Sequence, residues 1–271
     1  MRLVSFNIFR TLGLPNTQIL KPEHFLQHKE LLQQADWVLF PEYWQLNALV
    51  HGLKCRVFPS ISSYRIGHDK IEMTRAFQTV AAVHTPWTLI LANGPEEREQ
   101  VWQTMALPFV AKHPKASMGE GVWLIENAGD WRRYHESAAV LYVQEYLPID
   151  RDIRVVVVGE HVVSAYWRHQ APQGFYNNVA RGGWVSAEKV PESASALALQ
   201  VARDLDVNHA GFDIAMVGDY PYLLEFNRLF GNQGVGVKQV QESMLQYLRT
   251  QLEPRDPDEP VSPRPLWSIA G

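Results

Sequence analysis

Cysteine is nearly absent. The one thiol in 271 residues, Cys55, leaves no internal disulfide framework. A single cysteine suits a reducing compartment, and a cytoplasmic location is the default expectation. Long apolar runs are missing too. No stretch of about 18 apolar residues occurs, so no membrane span is expected. The opening MRLVSFNIFRTLGLPN has too short an apolar core, and is too polar afterwards, for a signal peptide. Neither sign of charge dominates: 25 Lys and Arg face 29 Asp and Glu, a net charge of −4. No global basic field is therefore available to recruit nucleic acid or an anionic membrane.

Several motifs are absent as well. The segment GNQGVGVK (231–238) has glycines and a lysine, but not in the order of a phosphate-binding P-loop. His24 and His28 lie one helical turn apart in HFLQH, without the glutamate that a zinc-protease helix carries. A solvated or half-buried helix face is the better reading of that pair. No nucleophile elbow occurs, and Cys55 in LKCRVF reads as a small buried hydrophobe. Internal repeats and low-complexity tracts are also lacking.

What is present is an alternation of elements. RLVSFNI (2–8) reads as a strand, PEHFLQHKELLQQA (22–35) as an amphipathic helix and DWVLFP (36–41) as a strand, a β-α-β start that favours a parallel sheet. A helix is expected over 67–80 and a strand over 86–93. From about Pro108 the texture changes to short paired strands, PFVAKHP, GVWLIEN, VLYVQEYL, DIRVVVVG and HVVSAYWR, with a hairpin about Gly159-Glu160. A helix follows from about Glu192. Two more strands, GFDIAMVG and YPYLLEFN, flank the turn GDYP. The end is rich in proline and charge and reads as a surface or disordered tail.

Polar residues stand at the ends of these apolar strands. Positions two apart on a strand share a face, so Glu225 and Asn227 stand side by side. Asp213 joins them if the two last strands pair as a hairpin. Three such oxygens suit a hard cation such as Mg2+, although a lone strand carboxylate is more often a solvated edge charge. Upstream, Lys112 ends an apolar strand ahead of the glycine-containing loop ASMGEGV, a place where an anion can meet backbone N–H groups. An ordinary hairpin with a surface lysine is the alternative. In FPEYWQ (40–45), Glu42, Tyr43 and Trp44 stand at a strand's carboxyl end, where an acceptor contact and an aromatic packing cluster are equally good readings.

The order of these parts resembles the ATP-grasp superfamily, and within it the ribosomal-protein-S6 glutamate ligase (RimK-like) type, from about Pro108 to Gly231. The resemblance implies an α/β protein in which two α+β subdomains clasp ATP behind a small parallel-sheet α/β domain. It divides the chain into residues 1–92, 93–253 (as 93–147 and 148–253) and a proline-rich tail, 254–271. Lys112, with Ser117, Gly119 and Gly121 of the covering loop, would hold the ATP phosphates. Gln144, Glu145, Tyr146 and Leu147 of VQEYL would meet the adenine, and Asp152 of DRDIRV the ribose. Asn178 in GFYNNVARGG and Lys70 in the HDKIEM helix start would lie near the phosphates. Arg154, Arg168 and Arg181 would stabilise the transferring group. Asp213, Glu225 and Asn227 would ligate Mg2+ or Mn2+.

The implied activity is ATP-dependent carboxylate–amine ligation through an acyl phosphate, with small-molecule or peptide substrates. No nucleic-acid or membrane partner is implied, and an oligomer is possible but not readable. A non-catalytic ATP-binding regulatory module and a grasp-fold phosphotransferase are the alternatives. Two departures bear on the acceptor. Arg228, Leu229 and Phe230 replace the family's small residues and proline-glycine after the metal asparagine, and Tyr176 stands where an arginine is common.

Overall fold

The computed structural model describes residues 1–114, 121–169, 184–186, 188–231 and 233–252. The chain opens with a parallel sheet of four short strands, β1 (Leu3–Ser5), β2 (Thr17–Ile19), β3 (Trp37–Leu39) and β4 (Val57–Phe58), in the order β2-β1-β3-β4. β1 and β3 are buried throughout, as a sheet covered on both faces requires. After β1, Asn7 accepts a hydrogen bond from the Arg10 N–H at 3.2 Å and caps the short helix α1 (Ile8–Thr11). The single helix expected over 22–35 is instead a 3₁₀ turn, Pro22–His28, running into α2 (Lys29–Gln34). Pro22, Phe25 and His28, the buried or half-buried residues of that turn, recur every third position, the period a 3₁₀ helix aligns.

Two helices lead onward, α3 (Ile61–Ile66) and α4 (Lys70–Val80). The helix expected from residue 67 begins at Lys70, because the Asp69 carboxylate accepts the Ile71 N–H at 2.7 Å. An antiparallel sheet follows, ordered β5-β8-β6-β7, from β5 (Thr88–Ala92), β6 (Phe109–Lys112), β7 (Val122–Ile125) and β8 (Val140–Glu145). The helices α5 (Pro95–Thr104) and α6 (Ala128–Ser137) contribute Val101, Trp131 and Tyr134 to its core, with Phe109, Ile125 and Leu141 from the strands. The strand at 88–92, included in the first unit by sequence, is thus hydrogen-bonded to β8 and not to the parallel sheet.

The last sheet is also antiparallel, ordered β11-β10-β9-β12-β13. Its strands are β9 (Arg151–Val158), β10 (His161–His169), β11 (Trp184–Ser186), β12 (His209–Val217) and β13 (Tyr220–Asn227). Both expected hairpins form, β9 with β10 and β12 with β13. One face packs Ile153, Val155 and Val157 under α4 and α7 (Glu192–Asp204). The other packs Val156 and Val158 under the parallel sheet and α8 (Val237–Thr250), with Leu39, Phe40, Phe58, Met244 and Leu248. Asn208 ties these layers. Its Oδ1 accepts the Ser60 N–H at 2.7 Å, its own N–H donates to Ser63 Oγ at 3.2 Å and its Nδ2 donates to Tyr247 Oη at 3.2 Å. Among the described residues no helix is long and apolar enough to cross a membrane.

Candidate active site

The face of the last sheet that is apolar at Val156 and Val158 becomes polar at Arg154 and Asp152, two and four residues back from Val156 along β9. Cross-strand register gathers the rest. Arg168 on β10 stands opposite Asp152, and Asp213 on β12 stands opposite Arg154. Glu225 on β13 stands opposite Asp213, and Asn227 opposite Gly211. A side chain at Gly211 would collide with Arg154, its Cβ lying 2.8 Å from Cδ and Nη1, so the glycine leaves the guanidinium its room.

These groups form a buried network. Arg168 donates from Nε and Nη2 to the two oxygens of Asp152, each at 2.7 Å, and its Nη2 is also 3.0 Å from Asp213 Oδ2. Arg154 donates from Nε to Asp213 Oδ1 at 2.5 Å and from Nη2 to Oδ2 at 3.2 Å. Two cations and two anions are thereby neutralised in a site where unpaired charge is costly. Burial pushes the Asp152 carboxyl above its ordinary range, with Arg168 pulling it back. Burial would lower Arg168, but Asp213 and Asp152 outweigh it and hold the guanidinium firmly charged. Asp152, expected at a ribose, has both oxygens engaged by Arg168.

Glu225 and Asn227 lie at the open edge of this face, joined by an Asn227 Nδ2 to Glu225 Oε1 hydrogen bond of 3.4 Å. Lys70, in the first turn of α4, brings its ammonium to 3.6 Å from Glu225. Lys112 reaches in from the other antiparallel sheet, its Nζ donating to Gln144 Oε1 at 2.7 Å. Gln144 Nε2 in turn donates to Thr88 Oγ1 at 2.9 Å, which fixes the amide so that its oxygen faces the lysine. Lys112 is half-buried as a residue, but burial pushes its ammonium down to about 8, against the attraction of Glu225 and with the repulsion of Lys70. The carboxylate edge of one sheet is thus faced by a cation of the other.

Glu145 is occupied locally: its Oε1 accepts the Trp87 N–H at 2.7 Å, and its own N–H donates to the Trp87 carbonyl at 2.9 Å. Tyr146 and Leu147 then begin the connection from β8 to β9, both partly exposed, with the Leu147 carbonyl accepting the Ile149 N–H at 2.8 Å. Gly121, at φ +77°, accepts from the His113 N–H at 2.7 Å and closes the base of the covering loop. Ser117, Gly119, Asn178 and Arg181 lie outside the described residues.

Cys55, read from the sequence as a small buried hydrophobe, is buried with its thiol on the Leu32 carbonyl. Tyr43 stacks on His68 at 4.3 Å, and Trp44 packs edge-on to Phe25. Gly211 and Thr88 were not singled out from the sequence; the only signal for either is its place across a strand from a site residue.

The model of the RimK-like ATP-grasp domain matches residues 68–247. The chain belongs to the RimK-like ATP-grasp family. A probable alpha-L-glutamate ligase of Xanthomonas euvesicatoria is 31% identical over 169 residues, covering 59% of this chain and 57% of that protein. The ribosomal protein bS6–L-glutamate ligase of Escherichia fergusonii is 29% identical over 197 residues, covering 66% and 64%. The chain therefore spans less than two thirds of the length of these relatives. Among solved structures, the D-alanine–D-alanine ligase of Bacillus anthracis superposes with a TM-score of 0.70 at 14% identity, over 93% of this chain and 98% of that one.

Proposed function

We propose that the protein is an ATP-dependent carboxylate–amine ligase working through an acyl phosphate, with Mg2+ or Mn2+ as its metal. The observation that carries this reading is the convergence on Glu225 of Lys70, 3.6 Å away, and of the attraction from Lys112 on the other sheet. Two ammonium groups next to a carboxylate–amide pair suit the phosphates of a metal–nucleotide complex. Glu225 and Asn227 would hold the metal. Asp213, whose oxygens accept three arginine contacts, has one lone-pair direction left for it. A magnesium ion there would neutralise phosphate charge.

In the proposed reaction a substrate carboxylate oxygen attacks the γ-phosphorus, the bond to the β-phosphate oxygen breaks and ADP leaves. An amine then attacks the acyl carbon. The C–N bond forms, the amine loses a proton and inorganic phosphate departs. This chain's part is to position and neutralise. Arg154 and Arg168 are clamped by Asp213 and Asp152, with each Nη1 directed away from the clamp as a donor for developing oxyanion charge. Asp152 is then a positioning residue for Arg168, and its expected ribose contact is not needed. Lys112, held by Gln144, meets the phosphates; the partly exposed Tyr146 and Leu147 border the adenine. The glutamate ligases among its relatives make an amino-acid substrate the first to test.

Calorimetry of MgATP binding tests the site. Wild type should bind, and Glu225→Ala with Asn227→Ala should weaken binding at least about tenfold, the worth of one lost charge-assisted contact. Equal binding by both proteins would remove the metal assignment. ADP release that needs a carboxylate but no amine would replace ligation by phosphotransfer.

A further inference from the structure

The sheet of β5 to β8 has a second face that the ligase reading does not use. Ala111 and Val143 pack into the core beneath α5 and α6, so Lys112 and Gln144, the next residues along their strands, leave by the opposite face. The two helices lie side by side, α5 starting where α6 ends. Asn93 makes that join: its Nδ2 donates to the His135 carbonyl at 2.7 Å and to the Ala138 carbonyl at 2.5 Å. Between the helices is an open cleft of about 260 Å³. Arg98, Glu99 and Trp102 line it from α5, and Trp131, Arg132 and His135 from α6. Arg98 and Trp102 are four apart, as are Trp131 and His135, so each pair shares one helix face.

The cleft carries polar groups whose bonding is incomplete. Arg98, half-buried, donates from Nε to Asn93 Oδ1 at 2.7 Å and from Nη2 to the Asn93 carbonyl at 3.3 Å. Asn93 is itself anchored on α6, so the guanidinium is held in one orientation, and its Nη1 has no acceptor among the described residues. Arg132, exposed at the rim, makes no hydrogen bond or ion pair among them. The Nδ1 of His135 is enclosed, yet it has no hydrogen-bond partner among the described residues, a costly state for a buried polar atom. The one carboxylate in the lining, Glu99, is exposed and accepts Gln103 Nε2 at 2.7 Å. Two guanidiniums thus outnumber one carboxylate. The apolar part is equally fixed: Trp131 is buried, stacks on Tyr134 at 5.7 Å and meets His135 edge-on at 5.3 Å. Trp102 is half-buried on the facing helix.

We propose that this cleft binds a small planar aromatic carboxylate, its ring against Trp102 and Trp131 and its carboxylate between Arg98 and Arg132. A free inorganic anion would use the arginines and leave both indoles idle. A neutral ring would use the indoles and leave the guanidiniums unpaired. A ligand with both parts satisfies the lining, because an aromatic face meets indoles well and a guanidinium fork matches carboxylate oxygens. The volume lies below that of pockets for drug-sized molecules, which limits the ligand to one or two rings. Such a site is independent of the ligase reading, since it shares no residue with the edge of Lys112, Glu225 and Asn227.

Ligand-observed NMR on the full chain tests the site, with naphthalene-2-carboxylate as the probe at constant ionic strength. Binding should be saturable, with a dissociation constant of about 1 mM or tighter. The uncharged naphthalene-2-carboxamide should bind about tenfold more weakly, and acetate should not displace the probe. Trp102→Ala should raise the dissociation constant about tenfold. Should that variant fail to fold, Arg132→Gln, at an exposed position, must still raise it severalfold. No saturable binding, or carboxamide binding as tight as that of the carboxylate, would overturn the proposal. So would a constant that both variants leave unchanged, which would place the probe elsewhere, the adenine side of the active site included. No nucleotide enters the measurement, so failure here leaves the ligase reading standing, and failure of MgATP to bind leaves the cleft standing.

Discussion

Lys112 carries a pH dependence that can be read directly. Its ammonium titrates near pH 8 in the folded protein and near 10.4 in an unfolded chain. Between those values the unfolded chain holds more protons, so this group makes folding more favourable as pH rises from about 8 to 10.4. Phosphate binding runs the other way, since it needs the charged form. MgATP should bind about tenfold more weakly at pH 9 than at pH 7, and Lys112→Met should abolish that slope while weakening binding at pH 7. Calorimetry across the range decides it; a flat profile in wild type would rule out a lowered ammonium in contact with the phosphates. At this scale the sequence was partly legible. Glu225 beside Asn227 follows from the two-residue period of a strand, and Asp213 opposite Glu225 follows because their strands are consecutive. Asp152 opposite Arg168 likewise follows from the expected β9–β10 hairpin, whereas the Asp213–Arg154 pair depends on β12 lying against β9 across more than fifty residues, and no local pattern encodes that. Arg228, Leu229 and Phe230 stood out as a departure from the family, but the donation of Arg10, more than two hundred residues away, to the Phe230 carbonyl did not.

At the scale of elements, β12 shows how one small residue sets a neighbour's geometry. Gly211→Ala would put a methyl group 2.8 Å from the Arg154 side chain and 3.0 Å from Phe230 Cβ. The guanidinium must then leave Asp213, in a network where partial satisfaction is worse than none. The variant should lose about 1–3 kcal/mol of stability in urea unfolding, with weakened ligand binding, as for other overpacked cores. Unchanged unfolding would mean that Arg154 has an alternative path. The helices divide by the signals they carry. The start of α7 at Glu192 was readable from its apolar spacing. α5 and α6 were missed because PEEREQVWQT and AGDWRRYHES hold few apolar residues, although Pro95 and the capping Asn127 mark their starts. In α8, Val240, Met244 and Leu248 have the spacing of a buried face, a signal that was present and unread.

The whole molecule was legible as a change of texture, from an alternating start to paired short strands, and this matches a parallel sheet followed by two antiparallel ones. How the sheets share their interiors was not. The parallel sheet and the last sheet enclose one common core beneath α8, reinforced by the Trp37 Nε1 donation to the Leu248 carbonyl at 3.2 Å. The sheet of β5 to β8 keeps a core of its own and meets α4 through the 2.7 Å Thr74–Tyr142 hydrogen bond. Heat should expose that division. Without nucleotide, differential scanning calorimetry should record two endotherms, the smaller one from residues 88–145, because cores that share little apolar surface need not melt together. Saturating MgATP, gripped by Lys112 on one side and by Glu225 on the other, should draw the two endotherms into one.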